Sequence, residues 1–481
     1  MNLLATLRFL GRLLLVLALA ESFPVAVCWF YGEQEALVDF LATAAATGLC
    51  GLLLIRVGGA GGELYRREGI VIVVAGWILA SLFGAVPYFL SGEVGLVDAL
   101  FESASGFTTT GASILTDIES APRGLLFWRS FTQWLGGMGI IVLFVALLPE
   151  LGPGARFLYK LEVPGPTAET LHPRVHDTAA VLWKTYLYLS LAQVLLLLAA
   201  GLDLYDAMTH TFSTLSTGGF SPRGASIAAF GSPLVEVIVV VFMVIAGANF
   251  SLYFAILRHR GRNLVRDPEF RLYVAMIAAA SGLVTWNLMT RGGYELLPRA
   301  FLDALFQVAS ILTTTGFATA DYDRWPSLSR LLLVGLMFIG GCAGSTAGGL
   351  KVMRLVIGLK SALREVRLMY SPSTVLRIFV GGKAVPDAVV KSVAGFFILY
   401  FVSWALGTLF LTMGGIDLET SASAAIATLG NIGPGLARVG PAQNFAFWSD
   451  AQKLLMVLLM WLGRLEVYAI AALVTASFWR R

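Results

Sequence analysis

The chain has 481 residues, of which 57% are hydrophobic and 13% are charged, and its mean hydropathy is +0.78. Soluble domains carry about 25% charged residues, so this composition excludes an ordinary soluble fold and predicts a polytopic membrane protein. The formal net charge of +4 is too small to indicate nucleic-acid binding. The cysteines and histidines are scattered and predict neither a disulfide framework nor a metal site; they are Cys28, Cys50, Cys342, His172, His176, His210 and His259.

The first 68 residues predict a transmembrane hairpin, because two apolar runs, residues 13–31 and 36–55, are followed by a polar patch at residues 63–68. The rest of the chain is an internal repeat of four copies, which outranks any local motif. We assign them to residues 69–150, 151–262, 263–383 and 384–481.

Each copy contains a long apolar run, a short one, a glycine-containing turn and a second long run. The first long runs are residues 70–90, 179–202, 272–289 and 389–413. The short runs are residues 98–108, 206–215, 303–312 and 419–429, and the second long runs are 125–148, 234–257, from 331 onward, and 454–478. About 20 apolar residues cross a bilayer, whereas about ten cannot and must be re-entrant.

The short half-helices share a start signal, an aspartate before the apolar residues. Asp98, Asp206 and Asp303 are predicted to be N-caps. The C-termini of the half-helices would then face the glycine turns, and converging C-termini favour a partly dehydrated cation.

Lysines and arginines predict the orientation, because they concentrate in cytoplasmic loops. The loops between repeats carry Arg156, Lys160, Arg174, Arg258, Arg260, Arg262, Arg266, Arg271, Lys360, Arg364, Arg367, Arg377 and Lys383. The glycine turns therefore face outward. Every repeat enters from the same side, so the copies have parallel topology around an axis along the membrane normal. The predicted fold is an all-α polytopic membrane protein with four helix, re-entrant pore loop and helix repeats around a central pore, plus two N-terminal transmembrane helices.

The four glycine turns are the candidate ion-binding residues, because rings of backbone carbonyls can replace the hydration shell of a cation. Glycine can reach φ above zero without a Cβ penalty, which such a turn requires. The predicted filter residues are Thr109, Thr110, Gly111, Ser216, Thr217, Gly218, Thr314, Thr315, Gly316, Asn431, Ile432 and Gly433. A single copy could be an ordinary helix-ending turn, but four in matching contexts favour the filter.

Two further features lie at membrane depth. Residues 340–349 interrupt a span with glycines and hydroxyls, which favours non-helical backbone beside a cavity over close helix packing. The candidate gating residues there are Gly340, Gly341, Gly344, Ser345, Thr346, Gly348 and Gly349. Arg464 lies within the last span, where a charge is functional by default. The alternative is a buried ion pair that holds two spans together.

Taken in order, these stretches resemble the Trk/Ktr/HKT superfamily of potassium transporters, TrkH type, over nearly the whole chain. The motifs that carry the resemblance are residues 134–139, 162–166, 216–221, 340–349 and 463–466. The resemblance implies potassium uptake across the bacterial inner membrane through a channel-like pore, with K⁺ at the filter positions. Glycine at all four filter positions implies potassium selectivity.

The resemblance further implies that residues 340–349 gate the pore and that Arg464 is part of the barrier. It also implies a homodimer in membrane lipid, regulated by a cytosolic, nucleotide-binding TrkA-type subunit. No covalently bound cofactor and no enzymatic activity are expected.

Two alternatives remain at this stage. A sodium-coupled potassium symporter of the same superfamily would share these features. An intramembrane serine hydrolase using Ser345 would need a base in reach, usually histidine, and no histidine follows Ser345 in the chain. The sequence leaves open the coupling to H⁺ or Na⁺, the regulatory nucleotide, the degree of selectivity and the state of the pore.

Overall fold

A computed structural model describes residues 2–58, 65–139, 175–257, 266–374 and 376–480. Within these ranges, six helices are long and apolar enough to cross a membrane, or seven if one bent pair is counted as a single span. In the most apolar stretch of each of these six helices, only 22–56% is buried. Much of their side-chain surface therefore faces outward, where lipid would cover it. The predicted all-helical, polytopic class is confirmed.

The N-terminal hairpin consists of α1 (Leu3–Glu21), α2 (Phe23–Tyr31) and α3 (Gln34–Val57). A Cβ at Gly11 would lie 2.6 Å from the carbonyl oxygen of Gly51, so the helices cross in direct backbone contact through small residues. Glu33 accepts hydrogen bonds from the backbone N–H groups of Arg123 (2.7 Å) and Gly124 (2.9 Å). The hairpin therefore holds the first turn of a helix in repeat one.

The four repeats follow in chain order. Repeat one contains α4 (Arg66–Gly84), α5 (Val86–Leu90), α6 (Leu96–Phe107) and α7 (Arg123–Gly137). Repeat two contains α8 (Val175–Ala199), α9 (Leu204–Leu215), α10 (Pro233–Ala246) and α11 (Phe250–Leu257). Repeat three contains α12 (Pro268–Arg291), α13 (Leu297–Leu312), α14 (Ser327–Met337) and α15 (Val352–Tyr370).

A two-stranded antiparallel hairpin, β1 (Phe379–Val380) and β2 (Lys383–Ala384), leads to repeat four, with Phe379 opposite Ala384. Repeat four contains α16 (Asp387–Thr412), α17 (Leu418–Leu429), α18 (Asp450–Arg464), α19 (Tyr468–Val474) and α20 (Ala476–Trp479). We call α6, α9, α13 and α17 the pore helices, because each one ends at a glycine turn.

The predicted N-caps of the pore helices were wrong. Asp98 lies two residues inside α6, whose N-cap is Gly95, and Asp206 lies inside α9, which is capped by Asp203. Asp303 lies well inside α13. Each carboxylate instead pairs with a cation: Asp98 with Lys453 (2.5 Å), Asp206 with Arg223 (2.5 Å) and Asp303 with Arg299 (2.6 Å). Asp98 and Asp206 therefore tie their helices to neighbouring elements, whereas Asp303 pairs within its own helix. Asp98 and Asp206 also lie in the first turn, where a negative charge is favourable.

The second span is interrupted in repeats two, three and four, and in repeat one its described helix ends early. Helix α7 ends at Gly137, a break separates α10 from α11, and residues 338–351 separate α14 from α15. The chain bends by 116° between α18 and α19, where Glu466 and Val467 have φ of 56° and 54°. The continuous helices predicted for residues 234–257 and 454–478 were therefore wrong. A glycine in close backbone contact lies near each break: the Gly247 carbonyl accepts from the Cys342 N–H, and a Cβ on Gly463 would strike the Leu429 carbonyl.

Some predicted features lie outside the described residues. They are residues 140–148 of the first repeat, the 162–166 motif, and the basic residues Arg156, Lys160, Arg174, Arg258, Arg260 and Arg262.

Candidate functional site

The four glycine turns form a closed ring. The atoms that a Cβ added at each glycine would meet show this. A Cβ on each ring glycine would strike the backbone carbonyl of the residue before the ring glycine in the next loop. The pairs are Gly111 with the Gly218 oxygen, Gly219 with the Thr315 oxygen, Gly316 with the Ile432 oxygen, and Gly433 with the Thr110 oxygen (2.8 Å). We number the four glycine turns loops one to four in chain order. The contacts run from loop one to loop two, then to loops three and four and back to loop one, so the loops surround one axis.

Each of these glycines also has a backbone conformation that other residues rarely adopt. Their φ angles are 82° at Gly111, 76° at Gly219, 86° at Gly316 and 102° at Gly433. Both the φ angle and the close carbonyl therefore require glycine. A side chain at any of the four positions would have to push the neighbouring loop outward.

The second loop is shifted by one residue from the sequence prediction. Gly219, and not Gly218, is the ring glycine, because α9 ends at Leu215 and Ser216 is its C-cap. Thr217 has a φ of 55° and matches Thr109, Thr314 and Asn431, whose φ angles are 56°, 56° and 54°. Gly218 therefore corresponds to Thr110, Thr315 and Ile432. Two consecutive glycines left this register undetermined in the sequence.

Side chains of the ring residues bond to one another. The Thr108 and Thr110 hydroxyls are 2.8 Å apart, and the Thr313 and Thr315 hydroxyls repeat this contact at 2.7 Å. Asn431 donates to the Thr110 hydroxyl (3.0 Å) and so joins loop four to loop one. The four pore helices end at these loops, so their partly negative C-termini converge on the ring.

A cavity of about 100 Å³ lies beside the ring, on the side that the sequence predicts to face outward. All four ring glycines line this cavity, together with the residues that follow them, among them Ala112, Phe220 and Pro434. The ring therefore has an open mouth.

One polar side chain in each of the first three pore helices anchors the chain segment that follows its loop. Glu102, His210 and Gln307 each lie five residues before the last residue of their helix. Glu102 accepts from the Ser113 hydroxyl (2.9 Å) and the Ile114 N–H (2.9 Å). His210 Nε2 bonds the Ser221 hydroxyl (2.9 Å), and Gln307 Nε2 donates to the Thr319 hydroxyl (3.4 Å). Sequence reasoning missed these residues, although their equal offset in otherwise apolar half-helices was a usable signal.

Glu102 also forms a fully buried ion pair. Arg129 Nε lies 2.7 Å from its carboxylate, and the two side chains are 1% and 0% exposed. The same guanidinium donates to the Ser221 carbonyl (3.1 Å) and lies 4.1 Å from the centre of the Phe220 ring. One turn further along α7, Gln133 donates to the Gly218 carbonyl (2.7 Å). Helix α7 thus binds the segment that follows loop one and residues 218–221 of loop two.

The non-helical residues 338–351, which we call the inner loop, lie directly against the base of the ring. The Gly348 N–H donates to the Thr314 hydroxyl (2.7 Å), and the Thr346 hydroxyl donates to the Leu215 carbonyl (2.9 Å). A Cβ on Gly348 would strike the Gly430 carbonyl. The inner loop therefore contacts loops two, three and four.

The break in repeat two forms the seat of the inner loop. The Cys342 N–H donates to the Gly247 carbonyl (2.8 Å), and the Phe250 N–H donates to the Gly344 carbonyl (3.1 Å). A Cβ on Gly341 would lie 2.5 Å from that same Gly247 oxygen. Within the inner loop, the Gly340 N–H donates to the Leu350 carbonyl, Gly344 and Gly349 have positive φ, and the Ser345 hydroxyl donates to the Cys342 carbonyl (2.6 Å).

Arg464 lies between the inner loop and loop one. Its Nη1 donates to the Thr346 carbonyl (2.9 Å) and lies 3.3 Å from the Thr109 hydroxyl. Its Nη2 donates to the carbonyls of Gly136 and Gly137 at the end of α7. Glu466, two residues on, pairs with Arg354. The guanidinium therefore contacts loop one, whereas the inner-loop contacts described above reach loops two, three and four.

Comparisons with known proteins agree with this architecture. A family model named TrkH and described as a cation transport protein matches residues 39–480. The protein named Trk system potassium uptake protein TrkH of Halomonas elongata is 39% identical over 100% of both chains. Its namesake in Escherichia coli K12 is 41% identical over 87% of each, and TrkG of that strain is 37% identical over 98% of this chain and 97% of its own. A crystal structure of the potassium transporter TrkH from Vibrio parahaemolyticus superposes with a TM-score of 0.90 over 100% of both chains, at 36% identity. These relatives are named as transport proteins and not as enzymes.

Proposed function

The chain belongs to the TrkH family of cation transport proteins, and we propose that it takes up potassium ions through a channel-like pore in the bacterial inner membrane. The observation that carries this proposal is the closed ring of four glycine loops at the ends of four pore helices. Relatives along the whole chain are named as potassium uptake proteins. The pore is framed by broken spans, which are tolerated at membrane depth only where protein or a water-filled cavity surrounds them.

The ring would act as the selectivity filter. Carbonyl oxygens of the loop residues replace the hydration shell of the ion, and the C-termini of the pore helices add partial negative charge. The corrected filter set is Thr109, Thr110, Gly111, Thr217, Gly218, Gly219, Thr314, Thr315, Gly316, Asn431, Ile432 and Gly433. Ser216 keeps a supporting role as the cap that precedes loop two.

The inner loop and Arg464 would form the barrier beneath the filter. A cation about 6 Å from a guanidinium meets a repulsion of about 3 kcal/mol at an effective dielectric constant of 20, which slows permeation about a hundredfold. A membrane potential of 100 mV supplies only about 2.3 kcal/mol per charge. The barrier is therefore of a size that requires the inner loop to move before ions pass at full rate.

Regulation would come from outside the chain. We assign a homodimer and a cytosolic, nucleotide-binding TrkA-type subunit as partners, on the strength of family membership. The cytoplasmic helix α15 supports this, because it follows the inner loop directly and carries Lys360, Arg364 and Arg367. A partner that binds α15 could thus act on the barrier.

The decisive experiment is ion flux into proteoliposomes, normalised to folded protein, for wild type and Arg464→Ala. We expect potassium flux to rise in Arg464→Ala. The matched control is Arg299→Ala, which removes a guanidinium bound to Glu236 and Asp303 away from the ring. The control should lose thermal stability without any rise in flux. If Arg464→Ala behaves like the control, then Arg464 is structural and no barrier.

Ion substitution in the same vesicles tests the filter. Gly111→Ser places a side chain against the Gly218 carbonyl at a positive φ, so the sodium share of the flux should rise. Unchanged selectivity would contradict the filter assignment. Potassium flux that requires sodium on the same side would favour the sodium-coupled symporter.

A further inference from the structure

The inner loop is fixed at two levels, and only the upper level involves the ring. Its tip bonds Thr314, Leu215 and Arg464, as described above. At its base the two limbs meet, since Ile339 pairs with Leu350 and the Val352 N–H donates to the Gly341 carbonyl (3.1 Å). The seat in repeat two, described above, also holds this part of the loop through Cys342 and Gly344.

A buried carboxylate from another helix spans the base. Glu269 Oε1 accepts from the Ala343 N–H (2.8 Å) on the first limb and from the Met353 N–H (2.9 Å) just after the second limb. Glu269 is only 4% exposed. A single oxygen atom therefore connects the inner loop, the start of α15 and the start of α12.

Only one of the two helices uses Glu269 as a cap. Helix α12 already has its N-cap, because the Asp267 carboxylate accepts from the Phe270 N–H (2.8 Å). Helix α15 begins after Lys351, whose side chain makes no capping bond, so Glu269 caps α15 from outside. Its second bond, to Ala343, adds nothing to capping and serves only to hold the inner loop.

We propose that Glu269 is a positioning residue that latches the inner loop beneath the ring by joining Ala343 to the first turn of α15. The proposal rests on the transport function proposed above. Displacement of α15 pulls the Met353 N–H away from the carboxylate, which weakens the hold on Ala343. The latch thus links movement of the cytoplasmic helix to release of the inner loop.

The chain supplies its own reporter of latch release. Cys342 is 1% exposed and lies next to Ala343, so its thiol becomes accessible when the base of the inner loop opens. Cys28→Ser and Cys50→Ser leave Cys342 as the single cysteine. The labelling rate with a small maleimide, in purified protein without any ion gradient, then measures opening independently of transport.

We expect Glu269→Ala to speed Cys342 labelling about tenfold or more, because two hydrogen bonds to a buried acceptor are lost. Glu269→Gln keeps an acceptor oxygen, so its rate should fall between those of wild type and Glu269→Ala. The control is Asp267→Ala, which removes a cap two residues away on the same helix and should label like wild type. Potassium flux per folded molecule should follow the same order.

Equal labelling of Glu269→Ala, Asp267→Ala and wild type would overturn the latch. If Glu269→Ala does not fold, Glu269→Gln compared with Asp267→Asn decides: faster labelling of Glu269→Gln supports the latch, and equal rates refute it. A wild type that carries no potassium would refute the proposed function, while the labelling rates would still test the latch.

Discussion

The buried ion pair between Glu102 and Arg129 should support both stability and selectivity. Its side chains are 0% and 1% exposed, and it connects the exits of loops one and two. Removing one partner of a buried pair costs about 3–5 kcal/mol, because the other charge remains uncompensated. Glu102→Gln preserves the shape and one acceptor oxygen, so we expect about 3 kcal/mol of lost stability. We also expect a larger sodium share of the flux, because two ring loops lose their common anchor.

The assay combines the apparent melting temperature of detergent-purified protein with potassium and sodium flux in proteoliposomes. The matched control is Asp387→Asn, which breaks the pair with Arg364 at 3.3 Å, where the Asp387 side chain is 82% exposed. Such a surface pair contributes less than about 1 kcal/mol. If Glu102→Gln melts like Asp387→Asn and keeps wild-type selectivity, then the buried pair does not hold the ring in shape.

Three further predictions follow from the loops. Gly219→Ala should shift selectivity strongly, because its Cβ meets backbone at a positive φ, whereas the Cβ of Gly218→Ala meets only the side-chain amide of Gln133 and should shift it less; equal effects in ion-competition flux would contradict the corrected register. Gln133→Leu should lower the melting temperature and the potassium preference together, since it loses both bonds to loop two. Hydrogen bonds from Thr420, first from its hydroxyl and then from its backbone N–H, lower the pKa of Asp417. These bonds therefore stabilise the folded protein above a pH of about 4, and this stabilisation is lost as the pH falls through the lowered pKa. Thr420→Val should therefore melt below wild type at neutral pH, with a difference that shrinks in acid.

The sequence by itself determined the class of the protein and the plan of its pore. Apolar run lengths separate spans from half-helices, and four recurring glycine turns mark the ring, because both signals depend on residues close together in the chain. The family resemblance, now confirmed, rested on the same local motifs. The density of glycines at residues 340–349 likewise sufficed to predict non-helical backbone, as the inner loop shows.

The tertiary structure decided which atoms meet. Two adjacent glycines are equivalent in sequence, and only the packing of Gly219 against the Thr315 carbonyl selects one of them. Local sequence favoured Asp98 as a helix cap, but its carboxylate instead pairs with Lys453, which lies far along the chain. Glu269 gave no separate signal, and the position of Glu102 in its helix did not reveal its partner, since these partners are backbone groups and an arginine brought near by other helices. Local propensity fixes where helices and turns occur, whereas the contacts between distant segments that fix register and barrier form only when four repeats close around one axis.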